Sequence, residues 1–388
     1  MIRPVNIGLS PNLEADDVWL ALKTLVIGGK KDATREIEAW FESYLGSSFK
    51  AVAFNSGRSA QWAIIKALGL TSEDEVLIQD FTCVAVPNSV YWAGSKTIDV
   101  KIKPGTYNMD SEDLKKKITK NSKVVIVQHT FGQSADLDEI STVCKKNNLV
   151  LIEDCAHALG ASYKQKLLGT VGDVSFFSLG RDKVVSSVFG GIAITKNPQL
   201  YEKLRKIEQE LPENNYWWVV QQLLHPILTS FFLPVYNLGL GKAALWLSQR
   251  LHLLSMAVYS QEKRGLRPSC FPAKYSKALA TLGLNQLPKL ERFNAHRKII
   301  AQIYFKELAD TDLKLPPKSE GDIYLRFTVD SPRCRELYLR AKLERKWVLG
   351  DWYQMETHFL NLPTYPSFLK SDALELCNQL KIWLKHKK

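Results

Sequence analysis

The sequence predicts an α/β protein built on a mainly parallel sheet flanked by helices, with a smaller C-terminal α+β domain. Three observations point there. Short apolar runs at 75–78, 124–127, 149–152, 174–177 and 192–195 alternate with stretches of helical periodicity, the pattern of strands joined by helical crossovers. The pair Glu153-Asp154 closes one of these runs, at the place where open α/β sheets put their ligand crevices. A chain of 388 residues exceeds one ordinary core, so a second unit is expected.

Residues 11–46 read as two helices, because Leu13, Val18, Leu20, Leu22 and Leu25, then Ile37, Trp40, Phe41 and Leu45, recur at helical intervals. Phe49 to Phe54 reads as a strand, and Ala60, Ala63, Ile64, Ala67 and Leu68 as the buried face of a helix. Ser56, Gly57 and Arg58 therefore sit at a strand-to-helix turn, whose free N–H groups and dipole favour an anion. An ordinary turn using glycine for its backbone freedom would look the same. Past the apolar runs, 277–310 reads as helical, and Asp322 to Thr328 as a strand within a last unit of mixed strands and helices. No internal repeat or low-complexity tract is visible.

The chemistry-bearing residues are Asp154 and Lys183. Leu149-Val150-Leu151-Ile152 reads as a buried strand that delivers Asp154 to its carboxyl end, and Lys183 lies on a later loop, after Ser178 and before Gly190-Gly191. One carboxylate and one amine so placed suit pyridoxal phosphate. A lysine condenses with the cofactor aldehyde as a Schiff base, and a buried aspartate keeps the pyridine nitrogen protonated so that the ring accepts electrons. The Ser178 hydroxyl is a donor for the phosphate. Taken singly, such an aspartate is more often a helix cap and such a lysine a solvated residue. Their joint order and spacing favour the cofactor.

These segments resemble the DegT/DnrJ/EryC1/StrS sugar aminotransferases. The family's E-D-x-A-H-A is matched by Glu153 to Ala158, its G-x-x-G-T-x-G-D by Gly169 to Asp173, and its serine five residues before the lysine by Ser178 and Lys183. Asn55 to Ala60 looks like the family's N-S-G-T-x-A phosphate loop; Gly105 to Asp110, His129 to Gly132, Leu282 to Leu287 and Asn361 to Pro366 continue the likeness over roughly four fifths of the chain. The resemblance implies a fold-type I pyridoxal phosphate-dependent transferase with a seven-stranded-type sheet, acting as a homodimer. It also implies transfer of an amino group from an amino acid, glutamate being the expected donor, to a keto sugar, nucleotide-linked, in cell-surface polysaccharide or glycoconjugate synthesis. Residue by residue it implies Lys183 and Asp154 as catalytic groups and Ser56, Gly57, Arg58, Cys83, Asp154, His157, Ser178 and Lys183 around the cofactor, His157 beside its phenolic oxygen. The expected division is 1–210 for an N-terminal arm and the large cofactor-binding domain, 211–270 for an apolar helical insertion, and 271–388 for a C-terminal helix and small domain.

Several positions depart from the family pattern. Thr82-Cys83-Val84-Ala85 stands where the family has an aromatic residue over the ring; Phe81 is the nearest substitute, although in an extended segment its side chain would point the other way. The family's Y-N-x-R-M, whose asparagine reaches the neighbouring subunit's phosphate, aligns with Phe271 to Tyr275 and lacks that donor. Arg58 or Arg181 would replace it. Ser178-Leu179-Gly180-Arg181-Asp182-Lys183 replaces S-F-H-x-x-K but keeps the lysine, unlike the related sugar dehydratases, which carry histidine. Gly350 to Tyr353 falls where the family shapes its sugar site. Elimination chemistry with the same cofactor, or a membrane-associated binding or regulatory protein that has lost turnover, are the alternatives.

Composition is that of a globular protein, 45% hydrophobic and 24% charged. Six cysteines without C-x-x-C spacing indicate neither a disulfide framework nor a zinc site. The N-terminus lacks an apolar signal region, so a reducing cytoplasm is the expected setting. The net charge of +12 is scattered, with Lys115 to Lys117 and Lys385 to Lys388 reading as solvated helix ends, so no nucleic acid is expected. An anionic substrate or an anionic membrane would use the same field. One segment stands outside the family plan: Asn214 to Gly241 has no charged residue, and Pro226 and Pro234 interrupt it, which disfavours a straight membrane span. Peripheral membrane contact through 214–258 at the inner membrane face, an enlarged dimer interface, and a lid over the substrate are its three readings.

Overall fold

The computed structural model describes residues 5–6, 12–344, 347–354 and 357–385. After β1 (Val5–Asn6) come helices α1 (Ala15–Ile27) and α2 (Ala33–Leu45), then β2 (Lys50–Phe54), α3 (Gly57–Leu68), β3 (Glu75–Gln79), α4 (Ala85–Ala93), β4 (Lys96–Val100), α5 (Ser111–Lys117), β5 (Ser122–Gln128) and α6 (Leu137–Lys146). Strand β6 (Val150–Asp154), a small hairpin of β7 (Ser162–Tyr163) and β8 (Lys166–Leu167), β9 (Val174–Ser178) and β10 (Gly191–Thr195) follow. Helix α7 (Pro198–Glu210) leads into α8 (Tyr216–Phe232) and α9 (Leu240–Arg250); α10 (Lys277–Gln286) and α11 (Leu290–Glu307) come next. The chain ends with β11 (Phe327–Asp330), α12 (Cys334–Glu344), β12 (Trp347–Val348), β13 (Gly350–Gln354), β14 (Thr357–Leu362) and α13 (Lys370–Lys385).

Seven strands form the main sheet in the order β2-β10-β9-β6-β5-β3-β4. Pairs from β9 through β6, β5 and β3 to β4 are parallel, whereas β10 runs antiparallel to both neighbours. Alternation along the strands sends side chains to opposite faces. Ala51, Ala53, Leu77, Val125, Val127, Phe177, Ile192 and Ile194 join one core with Ile37 and Phe41 of α2 and Ile140 of α6. Val52, Phe54, Val76, Ile78, Val124, Ile126, Phe176 and Ala193 join the other with Ala60 and Ile64 of α3, Val90 of α4 and Leu204 of α7. A separate core gathers Ile300 and Tyr304 of α11, Phe327 and Val329 of β11, Leu337 of α12 and Leu376 and Leu380 of α13.

Three sequence expectations are corrected, and one strand escapes the sequence reading. Strand β11 begins at Phe327, not Asp322, because the stretch before it bonds across to the 129–134 loop. Ile323 N–H donates to Gly132 O at 3.0 Å, Asp322 accepts from Ser134 N–H at 3.0 Å, and Tyr324 has φ 50°. Pro226 does not end its helix; α8 continues to Phe232 with Pro226 buried, the helix packing against α1 and α10. Packing of that face outweighs the lost N–H donor. Strand β4 is the sheet's edge and keeps its sides half-exposed, so no apolar run marks it. Lastly, Phe81 does not point away from the site: Asp80 to Val84 forms a bend and turn instead of an extended segment, and Phe81 reaches the cavity wall. The side chains of Gly350 to Tyr353 and residues 386–388 lie outside the described residues.

Candidate active site

Strand ends, one helix start and one loop converge on a cavity of about 290 Å³, close to the lower end of small-ligand pockets. Ser56, Gly57, Arg58, Cys83, Asp154, His157, Ser178 and Lys183 all line it. They come from the β2–α3 turn, the β3–α4 turn, the end of β6 and the turn after it, the end of β9, and the loop before β10.

Asp154 is the last residue of β6 and 3% exposed. Its Oδ1 accepts from Ala156 N–H at 2.9 Å, and among the described residues its other oxygen has no hydrogen-bond partner. Burial pushes this acid up to about 6, against the Ala156 amide and the positive field of Lys183. Lys183 Nζ lies 2.9 Å from His157 Nε2 and 3.8 Å from Asp182 Oδ1. The Phe131 N–H donates to His157 Nδ1 at 3.3 Å, so a neutral ring carries its hydrogen on Nε2, facing the amine. Burial first, then the Lys183 and Arg326 charges, hold His157 well below its ordinary range. Phe131 stacks parallel to the imidazole, centroids 5.9 Å apart. The loop holding Lys183 is fixed through its carbonyls. Asn12 Nδ2 donates to Lys183 O at 2.6 Å and Val184 O at 2.9 Å, and buried Arg297 donates to Asn12 Oδ1 at 2.8 Å and Val184 O at 2.9 Å.

The phosphate end is shaped by absent side chains. A Cβ on Gly57 would lie 2.9 Å from Ser178 Cβ, and one on Gly191 2.1 Å from Ser56 O, so these glycines let α3, β9 and β10 close together. Ser56 caps α3, accepting from Ser59 N–H at 3.2 Å. Among the described residues the Gly57 and Arg58 amides at the helix start have no partner, and they lie beside Ser178 Oγ. An amine, a buried carboxylate with a free oxygen and an anion-ready helix start in one cavity fit pyridoxal phosphate. Under this floor, Glu153 explains the Gly169 to Gly172 motif: it accepts from Gly169, Val171 and Gly172 N–H at 2.9, 2.7 and 2.6 Å and from His129. Burial would raise this acid, but His129 and those amides hold it below its usual range.

Both arginines considered for the phosphate line the cavity, yet their guanidinium groups turn toward the 214–271 segment. Arg58 forms an ion pair with buried Glu262 and donates to Ala257 O at 2.9 Å. Arg181 donates to Ser255 O and Gln222 Oε1 at 2.8 and 2.9 Å. Asn55 joins both ends of the segment, donating to Asn214 Oδ1 at 3.0 Å and Cys270 O at 2.7 Å. Sequence reasoning missed Glu262, Gln222 and Ser255, which carry no motif, and Arg326, which lines the cavity and donates to Asp182 at 2.5 Å. An arginine inside the otherwise apolar run Ile323 to Phe327 was the one available signal. Phe81 and Phe131 line the cavity and pack behind it on Tyr107 and Phe359, and exposed Cys83 is a small group in the wall.

The chain is similar to known proteins along most of its length. The model of the DegT/DnrJ/EryC1/StrS aminotransferase family matches residues 17–222 and 247–380. GDP-perosamine synthase of Caulobacter vibrioides is 34% identical over 209 residues, 53% of this chain and 56% of that protein. An uncharacterized protein of Methanocaldococcus jannaschii is 35% identical over 380 residues, 90% of this chain and 89% of the relative. Among solved structures, PseC of Helicobacter pylori, an aminotransferase involved in the biosynthesis of pseudoaminic acid, superposes with a TM-score of 0.75 at 16% identity, covering 99% of this chain and 100% of that one.

Proposed function

The chain belongs to the DegT/DnrJ/EryC1/StrS aminotransferase family, and from that premise we propose that it is a pyridoxal phosphate-dependent sugar aminotransferase. In this reading it moves an amino group from an amino acid, glutamate, to a nucleotide-linked keto sugar for a cell-surface polysaccharide or glycoconjugate. The observation that carries it is the meeting of Lys183, His157 and the free oxygen of Asp154 with the start of α3 in one cavity. Likeness to a GDP-perosamine synthase supports the substrate class.

Bound pyridoxal phosphate supplies an aldehyde that takes up amines and, with its nitrogen protonated, a ring that takes up electrons. Asp154 is the group to hold that proton, being buried and lacking a protein partner on one oxygen. Lys183 Nζ would be the amine that holds the cofactor aldehyde and the base that moves a proton at the substrate α-carbon. His157 Nε2 is within 2.9 Å to pass a proton to or from that amine. Ser56, Gly57 and Ser178 form the phosphate cradle, to which Arg58 adds its backbone amide at the helix start. Cys83 flanks the cavity where a bulkier residue would narrow it. The working unit in this proposal is a cytoplasmic homodimer at the inner face of the membrane, with residues 1–210, 211–270 and 271–388 as large domain, insertion and small domain.

Purified protein given pyridoxal phosphate should turn yellow, bleach with glutamate and regain colour with a keto sugar nucleotide. Lys183→Ala should lose all three responses. Colour without bleaching would instead favour a binding protein that has lost turnover.

A further inference from the structure

The insertion divides into a seated stem and an outward tip. From Trp218 to Thr229 the stem is largely buried against α1 and α10. Past it the apolar side chains turn outward: Phe231, Leu238, Leu240, Trp246, Leu247 and Leu251 are each at least half exposed. The family model passes over residues 223–246, so most of this tip lies outside the family's common plan.

Charge decides what the tip fits. No aspartate or glutamate occurs between Glu213 and Glu262, and Lys242 and Arg250 are the formal charges in that interval. Both stand on α9 beside the exposed tryptophan, with the Arg250 guanidinium 5.5 Å from the Trp246 ring centre. A second copy docked tip to tip would bring positive charge to positive charge. An anionic lipid surface brings negative headgroups for the two cations, a level at which an indole ring is favoured, and an acyl boundary for the leucines and Phe231. Among the described residues one helical run, Tyr216–Tyr236, is long and apolar enough to cross a bilayer, but it begins in the stem and 39% of it is buried in the fold, which commits it elsewhere.

We propose that residues 231–251 dock this chain on an anionic lipid leaflet, lying in the headgroup region without spanning it. The proposal deepens the aminotransferase reading, on which it rests for its setting. The tip joins the cavity directly: Ala257 and Val258 line the cavity wall, and Ser255 and Glu262 hold Arg181 and Arg58.

The test is flotation of the full-length protein with vesicles of equal parts phosphatidylcholine and phosphatidylglycerol, and with phosphatidylcholine alone. The parent should float with the mixed vesicles, release as salt is raised, and remain behind with phosphatidylcholine. The pair Trp246→Ser with Leu247→Ser, and separately Lys242→Gln with Arg250→Gln, should each lower bound protein about tenfold or more. Cofactor colour and glutamate bleaching in vesicle-free buffer should stay at the parent's level, so failure of the enzyme reading shows there and not in flotation. A parent that does not float, or variants that float as well as it, overturns the proposal. So does a parent dimer that the Trp246→Ser, Leu247→Ser pair turns into monomers on sedimentation, since a second copy would then cover the tip.

Discussion

Burial sets the charge behaviour of Asp154. Its folded value of about 6 exceeds the ordinary 3.8, so ionising it costs stability; the cost is absent below the ordinary value and complete above the raised one. Asp154→Asn should therefore stabilise the cofactor-free protein above neutral pH by up to about 3 kcal/mol, by progressively less as the pH falls, and not at all below the ordinary carboxylate value, and it should abolish transamination. Thermal melts across pH, beside activity, check both halves. The Arg58–Glu262 pair behaves oppositely. Glu262 is buried and Arg58 only partly so, and Arg58→Ala leaves the buried carboxylate uncompensated, so it should cost roughly 3–5 kcal/mol and Glu262→Ala less, with the double substitution costing less than their sum in denaturant titrations. Lys183, Asp154 and Ser178 were legible in the sequence because the chemistry restricts those residue types and their order. Glu262 was not, since an ion pair across 204 positions leaves no local pattern.

At the level of elements, the start of α3 depends on what its glycines omit. Gly57→Ala places a methyl 2.9 Å from Ser178 Cβ and should weaken pyridoxal phosphate binding by about tenfold, roughly 1.4 kcal/mol, measured by equilibrium dialysis. Fold stability should change less, because α3 can tilt away from β9. The buried strands β3, β5, β6, β9 and β10 were readable as apolar runs since both faces are covered. Edge strand β4 has one covered neighbour and lost that signature, and α8 runs through Pro226 because tertiary packing decides where propensity alone would stop it.

For the whole molecule, cofactor binding and folding are linked. At a hundred times its dissociation constant, pyridoxal phosphate should add about 2.7 kcal/mol to stability, and the rise in melting temperature should shrink in Lys183→Ala. The proposed homodimer predicts a sedimentation coefficient above that of one 44.0 kDa chain. The same large-scale view gives Asn12 its importance. Its side chain clasps the carbonyls of Lys183 and Val184 while Arg297 from α11 holds it in turn. Proteolytic trimming past this residue would thus disarm a nucleophile 171 positions downstream without touching it. For anyone preparing the enzyme, affinity handles with cleavable linkers are safest at the opposite terminus.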